Sequence, residues 1–163
     1  MRDKDFELIY RLYYDPLFLY AFSLTHSKED AEDLVADAFV KALLSFGGGN
    51  LKAWLYTVLK HDFYNLYKKK KKIIDNMELH MEWMEDPADV LKDFIREEER
   101  RWLYTQIYQL PEREREIMLL SIQRELNDAA IADLMGLRIE NVRVIRHRVK
   151  EKLIRLCKKE GMS

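Results

Sequence analysis

Apolar and aromatic residues near the start of the chain recur at helical spacing: Phe6, Ile9, Tyr10, Tyr13 and Leu17 share one face between Asp5 and Thr25. Asp15 and Pro16 predict a break into two helices there, since proline suits a first helical turn and not an interior one. The next segment, "SKEDAEDLVADAFVKALLSF", opens on Ser27 as N-cap with Asp30 three residues later. Ala31, Leu34, Ala38, Ala42 and Phe46 then form its buried stripe. "GGGN" ends that helix, because glycine adopts positive φ freely, and Asn50 caps the one that follows. In "LKAWLYTVLKHDFYNLYKKKKK" the inner side is Trp54, Leu55, Val58 and Leu66, with Lys52, Lys60 and the lysine run outside or at the end.

The periodicity lapses from Ile73 to about Phe94, where "DNMELHMEWMEDPAD" offers acids, methionines and Pro87. Helices resume around Asp93 to Gln109, stop at "LPE", and continue through Glu112 to Arg124, with Pro111 opening the later one. No alternating apolar run bounded by turn residues predicts a strand. The expected fold is all-α: two small helical domains, residues 1–72 and 94–163, joined by an acidic flexible linker over 73–93, with a helix-turn-helix in the C-terminal domain.

That motif lies in "NDAAIADLMGLRIENVRVIRHRVKEKL". A helix-turn-helix needs a small residue where its helices touch, a glycine in the turn and apolar residues that seat the second helix. Ala132, Gly136, and Val142 with Ile145 meet those needs; Ile131, Leu134 and Leu137 complete the core, and Asn127 caps the first helix. The second helix presents Arg143, Arg146, His147, Arg148, Lys150 and Lys152 outward, a charge pattern that fits a DNA major groove.

Charge changes the picture of the remainder. The formal net charge is −1, yet residues 1–72 carry +2, residues 73–99 carry −8 and residues 100–163 carry +5. The neutrality is thus a cancellation between two basic blocks and an acidic connector, an asymmetry that points to a nucleic-acid partner. Hydrophobic residues at 48% provide for packed cores and exclude global disorder.

Cys157 is a lone cysteine and His26, His61, His80 and His147 are scattered, so neither a disulfide framework nor a metal site is expected. No nucleophile, base and oxyanion donor converge in the pattern, so catalysis, a cofactor and a small-molecule substrate are not expected either. An acidic start, "MRDKDFELIY", and the lack of a long uncharged apolar segment predict a cytoplasmic protein.

With these motifs in place, the chain resembles the extracytoplasmic-function (ECF) sigma factors of bacterial RNA polymerase, over nearly its whole length. "DAEDLVADAFVKAL" is similar to the polymerase-clamp helix of the first sigma domain, and "LKAWLYTVLKHDFYNLYKKKKK" to the helix that reads the −10 element. "LPEREREIMLL" with the helix-turn-helix is similar to the second sigma domain, which reads the −35 element.

The resemblance implies that the acidic edge of Glu29, Asp30, Asp33 and Asp37 binds core RNA polymerase. It implies −10 contacts from Asn50, Lys52, Tyr56, Lys60, His61, Asn65, Lys68 and Lys69, with Trp54 either core or contact. It also implies −35 contacts from Arg138, Glu140, Asn141, Arg143, Arg146, His147 and Arg148. The acidic connector would follow the family's linker into the polymerase's RNA path, and an anti-sigma factor would control the protein, holding it at the membrane where that partner is membrane-bound.

The chain departs from the family in having Ala36 where a Gln usually follows "DLV", His61 and Asn65 in place of a frequent Asn and Asp, and Arg138 where a Ser commonly caps the recognition helix. The expected function is a sigma factor that directs promoter recognition. The alternatives are an autonomous helix-turn-helix transcriptional regulator, disfavoured by the polymerase-like first half, and an RNA-binding adaptor, which leaves the helix-turn-helix unexplained.

Overall fold

A computed structural model describes residues 3–74, 82–122 and 126–161, with the side chains of 3 and 67–74 outside the description. The described chain is helical: α1 Asp3–Thr25, α2 Lys28–Ser45, α3 Leu51–Ile74, α4 Pro87–Lys92, α5 Glu98–Tyr108, α6 Glu112–Ser121, α7 Asp128–Met135 and α8 Ile139–Lys159. It divides into two compact units, Met1–Glu85 and Asp86–Ser163.

In the first unit α1 runs unbroken through Pro16, where a break into two helices was expected. An interior proline forfeits one helical hydrogen bond and crowds the preceding turn, at about 3 kcal/mol. Leu17, Phe18, Tyr20, Ala21 and Phe22 just beyond it are at most 1% exposed, and burying two large apolar side chains already offsets that cost at about 1.5 to 3 kcal/mol each. Burial on all sides from Leu17 to Thr25 makes this half of α1 the central helix of its unit.

Helix α2 lays Ala31, Leu34, Val35, Ala38, Phe39 and Ala42 into the core, and its Ser27 cap accepts a hydrogen bond from the Asp30 amide at 3.3 Å. Phe39 meets Tyr10 of α1 with ring centroids 4.9 Å apart. Gly48 and Gly49 in the following loop take φ of +128° and +94°, conformations that side chains with a Cβ rarely adopt. The Asn50 side chain accepts from the Ala53 amide at 3.1 Å and so caps α3, as its position predicts.

The inner face of α3 is Leu55, Tyr56, Leu59 and Phe63. Leu66, expected inside, is 50% exposed, about one turn beyond the buried Phe63. Lys52 and Lys60, expected outside, are only 9% and 6% exposed. Their ammonium groups sit over aromatic faces, Lys52 at 5.1 Å from the Tyr13 ring and Lys60 at 5.6 Å from the Tyr64 ring.

The expected linker over 73–93 is structured at both ends. Ile73 and Ile74 continue α3, and residues 75–81 lie outside the described residues. Trp83 then returns to the first unit, stacked on His26 at 3.8 Å and tilted against Phe22 at 5.2 Å. The Met84 amide donates to the His26 carbonyl at 2.9 Å, and Glu85 accepts from the Lys28 amide at 3.1 Å, adding a carboxylate to the N-terminus of α2. Asp86 caps α4, which opens on Pro87 and buries Val90 and Leu91 in the second unit. An indole and two apolar side chains carry more burial energy than an acidic composition opposes, so these residues pack.

In the second unit α5 begins at Glu98, later than the expected Asp93. Tyr104, Ile107 and Tyr108 of α5, Ile117, Leu119 and Leu120 of α6, Ile131 and Ala132 of α7, and Val142, Val149 and Leu153 of α8 form its core. Asn127 caps α7 by accepting from the Ala130 amide at 2.8 Å. Gly136 ends it at φ 66°, and the Leu137 amide donates to the Ala132 carbonyl at 2.9 Å, the paired closure of a Schellman motif.

Candidate nucleic-acid and polymerase interface

The recognition helix of the helix-turn-helix, α8, is amphipathic by construction. Val142, Val149 and Leu153 anchor it, Ile145 is half-buried, and Arg138, Glu140, Asn141, Arg143, His147, Arg148 and Lys150 are exposed. The cap residue Arg138 makes no side-chain cap bond, so the first amides of α8 are left to other partners.

Arg146 departs from the expected outward display. Its two terminal nitrogens donate to the two oxygens of Asp128 in a bidentate pair, Nη1 to Oδ1 and, at 3.0 Å, Nη2 to Oδ2. Arg143 Nε donates to the same Oδ2 at 3.1 Å. Asp128 is the first residue of α7, directly after the Asn127 cap, so one carboxylate at a helix N-terminus joins two guanidiniums one turn apart on α8. The hydrogen bond from Arg146, then that from Arg143, holds the Asp128 carboxyl below its ordinary value against the opposing effect of burial. Asp128 also raises the Arg146 guanidinium above its own. Nothing in the sequence pattern singled out Asp128. The available signal was an acid just inside a cap, facing arginines spaced by three residues on the next helix.

In the first unit the acidic edge of α2 stands as an exposed row: Glu29, Asp33 and Asp37 are exposed and Asp30 is half-buried at the capped first turn. Asp33 and Asp37 lie one helical turn apart on the surface opposite the Leu34 to Ala38 stripe.

The expected −10 set does not form a single display. Tyr56, one of the expected contacts, is 1% exposed and packs edge-on against Tyr20 at 5.1 Å in the core of the unit. Lys52 and Lys60, also among the expected contacts, are buried. Trp54 is half-buried against Phe46 at 5.6 Å, and the Asn50 oxygen serves as a cap. His61 and Asn65 are exposed one turn apart, their side chains 3.5 Å from each other. Tyr64, not among the expected contacts, is 46% exposed beside them. Lys68 and Lys69 continue the α3 backbone, and their side chains lie outside the description. Among the described residues no group of acidic, His or Cys side chains could hold a metal ion, and no helix is long and apolar enough to cross a membrane.

Comparison with known proteins identifies this arrangement. Residues 9–73 match Sigma-70 region 2, and residues 100–153 match Sigma-70, region 4. The chain belongs to the ECF sigma factors of the sigma-70 family. This sigma factor is 31% identical to RNA polymerase sigma factor YlaC of Bacillus subtilis (strain 168), over 94% of this chain and 92% of that one. It is 26% identical to ECF RNA polymerase sigma factor SigM of the same organism, over 89% and 90% of the two chains. Its fold is similar to that of the sigma factor RpoE from Bartonella quintana, solved in complex with the anti-sigma factor NepR. That likeness has a TM-score of 0.62 at 24% identity and covers 95% of this chain and 98% of the other. The sigma factor's region 2 thus contains α2 and most of α3, and its region 4 contains the helix-turn-helix.

Proposed function

We propose that this sigma factor divides initiation between its two units. The acidic edge of Glu29, Asp30, Asp33 and Asp37 docks on core RNA polymerase, the exposed end of α3 meets the −10 element through His61, Asn65 and the lysines that follow, and α8 enters the major groove of the −35 element. The observation that carries the reading is the seating of α8: two valines and a leucine fix it, while arginines, a histidine and a lysine line its outer side. Such a helix supplies base recognition and phosphate neutralisation, and a footprint this small needs polymerase for tight promoter binding. An anti-sigma factor is proposed as a regulatory partner, by analogy with the Bartonella quintana complex. The proposed site of action is the cytoplasm, where polymerase is.

Run-off transcription with core polymerase tests the proposal. Addition of the purified chain is expected to give initiation at a restricted promoter set, and the chain alone to bind duplex promoter DNA weakly. Tight sequence-specific binding without polymerase, and repression of transcription by another sigma factor, would instead assign an autonomous helix-turn-helix regulator.

A further inference from the structure

The two arginines of α8 that share Asp128 are held in different ways. Arg146 commits both terminal nitrogens to the carboxylate and is 35% exposed at its side chain. Its planar fork, the feature that lets arginine pair with the O6 and N7 of guanine, is already occupied. Arg143 commits only Nε, and its side chain is 63% exposed. Among the described residues no hydrogen bond is made by either terminal nitrogen of Arg143, the end of the side chain that a base edge would meet. One carboxylate neutralises one of the two guanidiniums, which leaves a unit of positive charge on the exposed member.

We infer that Asp128 is a positioning residue for base recognition: it holds Arg143 by Nε so that the two terminal nitrogens face a guanine, while Arg146 ties α7 to α8 and reads no base. The inference rests on the proposed placement of α8 in the −35 major groove and deepens it.

The physical reason is preorganisation. A free arginine loses rotamer freedom when it binds a base edge, and one already tethered at Nε has lost part of that freedom before binding, a several-fold gain in affinity for the matched base pair. Asp128 is fit for the task because it is 19% exposed, sits directly after the cap made by Asn127, and is itself fixed by the Arg146 fork. The arrangement also separates two jobs that the row of arginines in the sequence leaves indistinct, recognition by Arg143 and the helix-to-helix tie by Arg146.

The experiment uses holoenzyme assembled from the full chain and core polymerase, on a promoter fragment chosen by the wild-type holoenzyme. Each base pair of its −35 element is replaced in turn, and melting of the free chain is followed in parallel. Arg143→Ala is expected to abolish discrimination at one G·C pair, an effect of about tenfold or more. Asp128→Asn is expected to cut discrimination at that same pair several-fold with little change elsewhere, and to have no further effect on it in the Arg143→Ala background.

Uniform weakening across all sequences by Asp128→Asn, persisting in that background, would make Asp128 a structural residue only and overturn the inference. Arg146→Gln is expected to lower the melting temperature and, by loosening Asp128, to weaken discrimination only at the Arg143 pair; loss at any other pair overturns its assignment. Should Asp128→Asn fail to fold, Asp128→Glu keeps both ion pairs and displaces the carboxylate by one methylene. Discrimination at the Arg143 pair is then expected to fall, and full retention overturns the inference. If no −35 substitution affects the wild-type holoenzyme, the placement of α8 is what fails; if −35 substitutions matter and Arg143→Ala spares them all, the inference about Arg143 fails alone.

Discussion

Two single residues carry consequences that reach beyond their own turn. Asp128 has a folded-state pKa below the ordinary 3.8, chiefly through its hydrogen bond from Arg146. A depressed carboxylate pKa contributes stability in full above the ordinary value and loses it as pH falls through the depressed one. Asp128→Asn is therefore expected to destabilise the chain near neutrality by about 1.5 to 3 kcal/mol, the range for hydrogen bonds to charged groups. The gap between the two proteins is expected to close as pH falls below the ordinary carboxylate value and the wild-type carboxylate protonates. Thermal melts of both proteins over that fall in pH measure it, and a gap that widens on acidification would contradict the assignment. Gly136 is the second case: at φ +66° with no atom within 4 Å of an added Cβ, its replacement meets no clash, only the left-handed backbone penalty. Gly136→Ala is expected to cost about 1 to 2 kcal/mol in urea denaturation.

At the scale of the element, α2 sets a buried stripe of Ala31, Leu34, Val35, Ala38, Phe39 and Ala42 against an exposed acidic row, so its two faces can be altered independently. Reversing Asp33 and Asp37 together to lysine is expected to leave the stripe intact and, if the row docks on polymerase as proposed, to turn attraction for a basic surface into repulsion. Circular dichroism is expected to show unchanged helicity, and a pull-down with core polymerase a loss of binding. Retained affinity in the folded double variant would make the row a solvated helix face. Helix α1 teaches the complementary lesson. Pro16 is a local signal for a break, and it is overridden because the residues after it are buried on all sides.

Across the molecule, charge is segregated along the chain, with the acidic stretch over 73–99 set between two basic blocks. The run Lys68–Lys72 falls at the end of the α3 backbone, where cations complement the helix dipole and where phosphate is the expected contact. Replacing all five with glutamine is expected to weaken holoenzyme binding to promoter DNA nearly equally across sequences. Each lost phosphate contact should flatten the slope of log K against log salt by about 0.9. An unchanged slope would leave the run as a solvated helix end. The acidic stretch, meanwhile, is not a uniform tether: Trp83 and Glu85 pack on the first unit, and Val90 and Leu91 are buried in the second.

What the sequence determined by itself was whatever depends on neighbours a few residues away. The caps Ser27, Asn50 and Asn127, the glycine turn at Gly136, the seating of α8 by Val142 and the order of the motifs are all legible because a cap bond spans three residues and a turn spans four. Tertiary structure alone decided which side chains of a helix are spent inside. Tyr56 meets Tyr20, Lys52 lies over Tyr13, Trp83 stacks on His26, and Arg146 pairs with Asp128 across 18 residues. A tyrosine, lysine, tryptophan or arginine has both an apolar body and a polar tip. Composition and period leave open which of the two it presents, and the partner that settles it comes from another part of the chain.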